Sequence, residues 1–320
     1  MSELSTQSTL PVVAIAGATG HLGHNMTKAF LAPRVRSRFS KVILLSRQPV
    51  SASVHLARWQ DEGNAMIRSY DEDNFGPAIA DVDIFVNAIG ASGHSVKDKM
   101  LRALPDSKVA TYFPSEFGVD HYIHDFPHPE WDRKKHHFNL AKGVIPQVKL
   151  CRVFIGLFTE DSIGPWFGFD TRDGRYESVG SAESPVSFTS LEDTGKVVAK
   201  LATMPSKKIP DQVHIGGDTV SMREIASEME TAGAGDIDVT EIDLAGYKEE
   251  VLKEKTDDPS KFLRFLMGER KIDHTVDRLG NDNELVNPGE SEWRWKKMAD
   301  LASETDGRPW ADLAWPPNSS

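Results

Sequence analysis

Through the first half of the chain, short β-branched runs alternate with segments of helical period. The runs cover residues 12–16, 41–45, 83–88, 109–113 and 148–154, each of a length suited to a buried strand. Between them Leu22, Met26, Ala29 and Phe30 recur at helical spacing before Pro33. Val96, Met100, Leu101 and Leu104 do the same until Pro105, which has no amide to donate. This alternation predicts βα units laid into a doubly wound parallel sheet with covering helices, an α/β fold.

Further along, Ser190 and Asp193 have the spacing of a helix start, and Val197, Val198 and Leu201 follow on one face. With the run VSF before it, this segment is expected to return to the first domain, which then comprises residues 1–158 and 186–205. Residues 159–185 and 206–320 read as a smaller mixed α/β domain. It holds a hairpin or lid turning at Asp173 and Gly174, a strand over 212–215, a helix at MREIASEME and a loop near 279–290. Trp293, Trp295, Trp310 and Trp315 read as packing anchors of that domain.

Charge narrows the partners. The 320 residues carry 37 basic and 48 acidic side chains, a formal charge of −11, which repels phosphate backbones and anionic membrane surfaces. Neither a nucleic acid nor a membrane is expected as a partner. The one cysteine, Cys151, lies in an apolar run and reads as a buried thiol. The first ten residues lack a basic stretch followed by an apolar one, and no apolar run approaches the roughly 18 residues that span a bilayer. A cytoplasmic protein is expected, as monomer or homodimer.

Candidate chemistry begins at the junction of the first strand and first helix. There Gly17, Gly20 and Gly23 are spaced three apart, as in a Rossmann-type dinucleotide site. Gly17 permits a tight turn, Gly20 lets backbone approach a pyrophosphate, and Gly23 lets helix pack on strand. The amides around His21 and Leu22 face the anion with the helix dipole behind them, and Thr19 adds a hydroxyl. At the end of the second strand Ser46 and Arg47 stand where an NAD-binding chain carries a carboxylate. A guanidinium there can fork onto a 2′-phosphate, so NADP(H) is the expected cofactor. Asn87, Ala88 and Gly90, in a small-residue loop after the strand at 83–88, are expected to line the same site.

No tyrosine has a lysine four residues on, so the usual Tyr-x-x-x-Lys centre of short-chain dehydrogenases is absent. The segments GATGHLG, LLSR, FPSEFG at 113–118, a lysine-bearing helix and VIPQVKLCRVFIGLF together resemble the isoflavone reductase-like branch of the NmrA-like atypical short-chain dehydrogenase/reductases. That branch includes phenylcoumaran benzylic ether reductase and pinoresinol-lariciresinol reductase. The resemblance implies NADPH as hydride donor, a small aromatic substrate of phenylpropanoid type and a helix lysine as general base. Some NmrA-like proteins instead sense NADP(H) without turnover, which is the alternative function.

Two lysines compete for the base. At about 100° per residue, Trp131, Lys134, Phe138 and Ala141 share one arc, while Asp132, Lys135, Asn139 and Lys142 share another. Lys134 is the inward candidate, with Trp131 and Phe138 as its apolar surroundings, and Lys135 is the alternative. The family spacing to Ile145 and Pro146 is matched with a gap of one residue. The resemblance also sets Ser115, Glu116 and Phe117 beside the nicotinamide and Phe154 against its ring, although Val153 replaces the family's frequent asparagine. His121, His124 and His128, with Asp120 and Asp125, fit no metal-ligand spacing, so no metal is expected; His121 and His124 are candidate substrate contacts. Phe158, Trp166 and Phe169 are candidate linings of the substrate pocket.

Overall fold

The computed structural model describes residues 10–47, 53–62, 64–254 and 256–312. The N-terminal segment read for targeting and Trp315 lie outside these. The chain divides into two units. The first comprises Met1–Ser115, Arg133–Arg152 and Gly195–Asp211, the second Glu116–Asp132, Val153–Thr194 and Gln212–Ser320.

The first unit is built on six strands: β1 (Val12–Ala16), β2 (Lys41–Ser46), β3 (Met66–Ser69), β4 (Ile84–Asn87), β5 (Thr111–Phe113) and β6 (Lys149–Leu150). Their order across the sheet is β3-β2-β1-β4-β5-β6, with every pair parallel. This is the doubly wound order of a dinucleotide-binding sheet, with the reversal between β1 and β4. β1, β2 and β4 read as near-continuous apolar runs because helices cover both faces of a parallel sheet.

The helices before β6 are α1 (His21–Leu31), α2 (Pro33–Arg36), α3 (Val54–Asp61), α4 (Gly76–Ile79), α5 (His94–Ala103) and α6 (Pro129–Val144). α1 buries Met26, Ala29 and Phe30, and α5 buries Val96, Met100 and Leu101, as their periodicity predicts. Pro105 tightens the chain into a single 3₁₀ turn over Leu104–Asp106. The helix Leu191–Ala202 opens as expected, with Ser190 Oγ accepting the Asp193 amide at 2.9 Å.

Two expectations need correction, and two elements went unread. The run 148–154 is not one strand: the sheet ends at β6, Cys151 N–H reaches Tyr112 O at 3.1 Å, and Val153 and Phe154 belong to the second unit. The edge strand β3 and helix α3 carried no apolar signal strong enough to be read. Met66 is 44% exposed, and α3 buries only Leu56 and Trp59. The segment near 279–290 contains a helical turn, Asn283–Val286, and a 3₁₀ turn, Pro288–Glu290, rather than loop alone.

In the second unit, Phe169–Asp170 and Arg175–Val179 form the expected antiparallel hairpin, with Gly174 at φ +65° in its turn. Asp238–Ile242 adds a parallel edge. The helix Met222–Thr231 opens on a reciprocal cap: Ser221 Oγ accepts the Glu224 amide and Glu224 Oε2 accepts the Ser221 amide. It packs Ile225 and Met229 into a core with Phe188, Phe265 and Leu266. Trp295 is buried beside Trp293, and Trp310 packs edge-on to Trp166 while donating to Glu160 O at 2.9 Å, so these tryptophans are anchors. Among the described residues no helix is long and apolar enough to cross a membrane.

His274 is fully buried in this unit, and its Nδ1 donates to Ile215 O at 2.8 Å. Burial pulls its pKa down to about 4, with His214 acting the same way. The unfolded chain therefore binds a proton near pH 6.5 that the folded chain takes up only near pH 4, and stability falls as pH drops through that window. The expected loss is about 3 kcal/mol across it, read by urea unfolding at a series of pH values. His274→Asn should flatten the slope between those limits; an unchanged slope in that variant contradicts the assignment.

Candidate functional site

A cleft of about 630 Å³ opens in the first unit at the ends of β1, β2 and β4. Its walls come from the residues that directly follow those strands: Gly17 and Gly20 after β1, Ser46 and Arg47 at the end of β2, Ala88 to Gly90 after β4. Where the strand order reverses, loops leave in opposite directions and a crevice opens beyond the carboxyl ends.

The three glycines do different things. Gly17 has φ +79°, and a Cβ on it would lie 2.7 Å from the Ala88 carbonyl, so the β1 and β4 loops touch backbone to backbone. A Cβ on Gly23 would lie 1.9 Å from Gly17 O, which makes that position a helix-on-strand contact. Gly20 is exposed, and its Cβ would meet only Gly17 O at 3.3 Å. Gly20 is thus the one of the three at which a Cβ meets no severe backbone collision. Gly20 is also the N-cap of α1, no side chain among the described residues caps that helix, and no acidic residue occupies its first turn. Helix-start amides and the positive end of the dipole are thus presented at the cleft.

Ser46 is half-buried and Arg47 projects into water with its side chain 65% exposed. Arg47 Nη1 donates to Glu72 Oε1 at 2.9 Å, and this bond holds the guanidinium still more firmly protonated. A carboxylate therefore shares the cation expected to meet a phosphate. Asn87 is fully buried beneath the cleft: its Oδ1 accepts the Ile89 amide at 3.1 Å, while Ser115 Oγ donates to Ile89 O at 2.8 Å. Ile89 is pinned from both sides.

Of the residues expected here, the cleft brings together Gly17, Thr19, Gly20, Ser46, Arg47, Ala88 and Gly90. Exposed His21 and half-buried Leu22 continue into α1 behind them. Sequence reasoning missed Ser53, which caps α3, Leu56 on that helix, Tyr70 after β3, and Ser92, Gly93 and Val96. The α3 and β3 contributions were hidden with their elements. Tyr70 stands edge-on to Phe75 at 5.4 Å, and burial pushes its phenol pKa up, so it offers a neutral ring wall.

Both lysines of α6 are half-buried. Lys134 shares its face with His137, Phe138 and Ala141, all buried, whereas Asn139 and Lys142 are exposed. Arg152 and Lys142 sit over the Phe138 ring at 4.3 and 4.6 Å. Trp131 belongs to the second unit and packs against His128 and His124 with ring centroids at 4.2 and 4.8 Å.

The other expected site residues are set inside the second unit. Glu116 is buried, with its Oε2 3.3 Å from His121 Nε2 and its Oε1 accepting from the Tyr122 hydroxyl at 2.9 Å. Phe117 is buried, and Phe154 is fully buried and stacked on His214 at 5.2 Å. His214 in turn pairs with Asp120 at 3.0 Å. His121, His124 and His128 are all buried, and Asp125 is exposed. Among the described residues no group of three or more His, Cys, Asp or Glu could hold a metal ion. Phe169 is a core ring against Tyr176, while Phe158 and Trp166 are half-buried.

The division of labour among the glycines is testable. Gly17→Ala should cost about 2–4 kcal/mol in chemical denaturation, because it adds both φ strain and a backbone collision. Gly20→Ala should cost under about 1 kcal/mol, the loss of a tolerated N-cap. Equal costs would contradict the distinction.

The sequence profile of the NmrA-like family matches residues 10–255. An "NmrA-like family domain-containing oxidoreductase" of Gibberella moniliformis is 29% identical over 149 residues, 46% of this chain and 48% of that protein. The chain thus matches about half the length of that curated relative. Among solved structures, isoflavone reductase superposes with a TM-score of 0.74 at 17% identity, covering 92% of this chain and 99% of that one. The leucoanthocyanidin reductase of Vitis vinifera, in a binary complex with NADPH, superposes with a TM-score of 0.73 at 16% identity, covering 92% and 98%. At these identities the likeness shows a shared fold.

Proposed function

The chain belongs to the NmrA-like family, and from that premise we propose that it binds NADP(H) in the cleft of its first unit and reduces a small aromatic substrate. The observation that carries the reading is Gly20, bare toward the cleft at an uncapped helix start, with Ser46 and Arg47 across the opening. Pyrophosphate fits the first feature, because backbone amides and a helix dipole favour an anion that a Cβ would keep away. A 2′-phosphate fits the second, where an acidic residue would have favoured a free ribose hydroxyl. The oxidoreductase name of the Gibberella relative and the NADPH bound by the Vitis enzyme agree with this assignment.

In this reading Gly20 and the amides that open α1 hold the pyrophosphate, Ser46 and Arg47 hold the 2′-phosphate, and Ala88, Ile89 and Gly90 form the opposite wall. When bound, the nicotinamide supplies a hydride to an electron-poor carbon of the substrate. Lys134 is the proposed general base and takes a phenolic proton from the substrate. Isoflavone reductase and leucoanthocyanidin reductase carry aromatic substrates in their names, which supports that substrate class here.

Titration with NADPH and NADH, followed by NADPH consumption with phenylpropanoids and quinones, tests the proposal. Arg47→Ala should raise the Kd for NADPH about 10- to 100-fold and leave that for NADH nearly unchanged. Glu72→Gln should tighten NADPH binding several-fold, about 1 kcal/mol, because it frees Arg47 from a competing carboxylate. Lys134→Ala should abolish turnover with NADPH affinity kept, whereas full activity in that variant would transfer the role to Lys135. Tight NADPH binding with no acceptor reduced would leave nucleotide sensing as the function.

A further inference from the structure

We propose that Asp98, His137, Tyr112 and Asn87 form a single directed hydrogen-bond chain that holds the cleft loop at Ile89 in place only while His137 is neutral. The proposal rests on the reading of that cleft as a dinucleotide site. All four residues lie in the first unit. Asp98 Oδ1 is 2.6 Å from His137 Nδ1, His137 Nε2 is 2.8 Å from the Tyr112 hydroxyl, and Asn87 Nδ2 is 3.2 Å from the same hydroxyl. Asn87 Oδ1 then takes the Ile89 amide at 3.1 Å.

Chemistry fixes the direction of every link. Only the Asn87 carbonyl oxygen can accept from a backbone N–H, so its amino group must point to Tyr112 and donate there. At the other end a carboxylate accepts, so His137 donates from Nδ1. A neutral imidazole with its proton on Nδ1 leaves Nε2 as an acceptor, and the Tyr112 hydroxyl donates to it. Each donor therefore points away from the loop toward Asp98. A second proton on His137 makes Nε2 a donor and reverses the central bond. Nε2–H and the Asn87 amino group then compete as donors for the same Tyr112 oxygen, which weakens the bond that orients the Asn87 amide toward Ile89.

The setting suits a relay rather than a packing contact. Asn87 and Tyr112 are fully buried and His137 is 5% exposed, whereas the Asp98 side chain is 34% exposed and meets solvent. Tyr112 stacks its ring on Phe85 at 5.5 Å, and its hydroxyl makes both central bonds of the chain. The groups facing His137 are Asp98 and Lys97 from α5, Tyr112 from β5 and His136 on its own helix. Burial lowers the His137 pKa most, Lys97 and His136 lower it further, and Asp98 opposes them. His137 also stands one turn after Lys134 on α6, so the same chain ties down the face that carries the proposed base.

Binding of NADP⁺ measured from about pH 8 to about pH 5 reads the chain, with thermal unfolding as a check on folding. Protonation of the 2′-phosphate, with a pKa near 6, is common to all variants and cancels in the comparison. The wild-type Kd should rise about tenfold more on acidification than that of Tyr112→Phe. Asp98→Asn should move the midpoint of this extra rise down by roughly half a unit or more, which a merely structural role would not do. Parallel curves for wild type and Tyr112→Phe overturn the proposal. Should Tyr112→Phe fail to fold, ¹⁵N NMR of the wild-type ring decides: Nδ1–H at neutral pH supports the chain and Nε2–H overturns it. No saturable NADP⁺ binding by wild type at any pH overturns the cleft reading itself.

Discussion

The contact between Gly17 and the Ala88 carbonyl is the constraint from which the candidate site follows. Because no Cβ intervenes, the turn after β1 lies directly against the loop after β4, at the point where the sheet order reverses. α1 then starts with its amides open to the cleft, and Gly23 lets it run tight against Gly17. A methyl group at either position would collide with backbone, at Gly17 against the β4 loop and at Gly23 against the turn itself, and force these segments apart. Gly20 depends on them for its place, but a Cβ there would meet only Gly17 O at 3.3 Å, so its bareness is not set by the same collision.

Much of this was legible because central parallel strands are buried on both faces and so read as plain apolar runs. β1, β2, β4 and β5 were visible in that way, as were α1, α5 and the helix Leu191–Ala202 through their spacing. The edge strand β3 was not, since no residue of MIRS is fully buried and Arg68 is paired to Asp81 at 2.6 Å, so apolar burial leaves little mark on its sequence. The loss of β3 and α3 hid Tyr70, Ser53 and Leu56, which complete the cleft wall. The run at 148–154 misled for the opposite reason: apolar residues dominate it despite Lys149 and Arg152, but their burial is divided between two units, and hydrophobicity alone does not say in which core a residue ends.

The candidate site residues divide in the same way. Those on the first unit's strand ends gather around one cleft, because backbone geometry dictates their place. The histidines of the loop 121–128 are instead buried polar groups in an aromatic setting, with His121 on Glu116 and His124 and His128 against Trp131. Nothing in their spacing distinguished a buried ring from an exposed one, since histidine suits either. Asn87 shows the converse. Its sequence position suggested a lining residue, yet it lies beneath the cleft and orders the loop through the Ile89 amide, a role that only the partners of its two amide atoms disclose.

The account stands on a pyrophosphate resting against the amides at the start of α1. Hydrogen–deuterium exchange with and without NADP⁺ measures those amides directly. The account predicts slowed exchange at residues 17–23 and 88–93, concentrated at the first turn of α1, with the helix Met222–Thr231 unchanged. Binding that leaves exchange at residues 17–23 unaltered would contradict it.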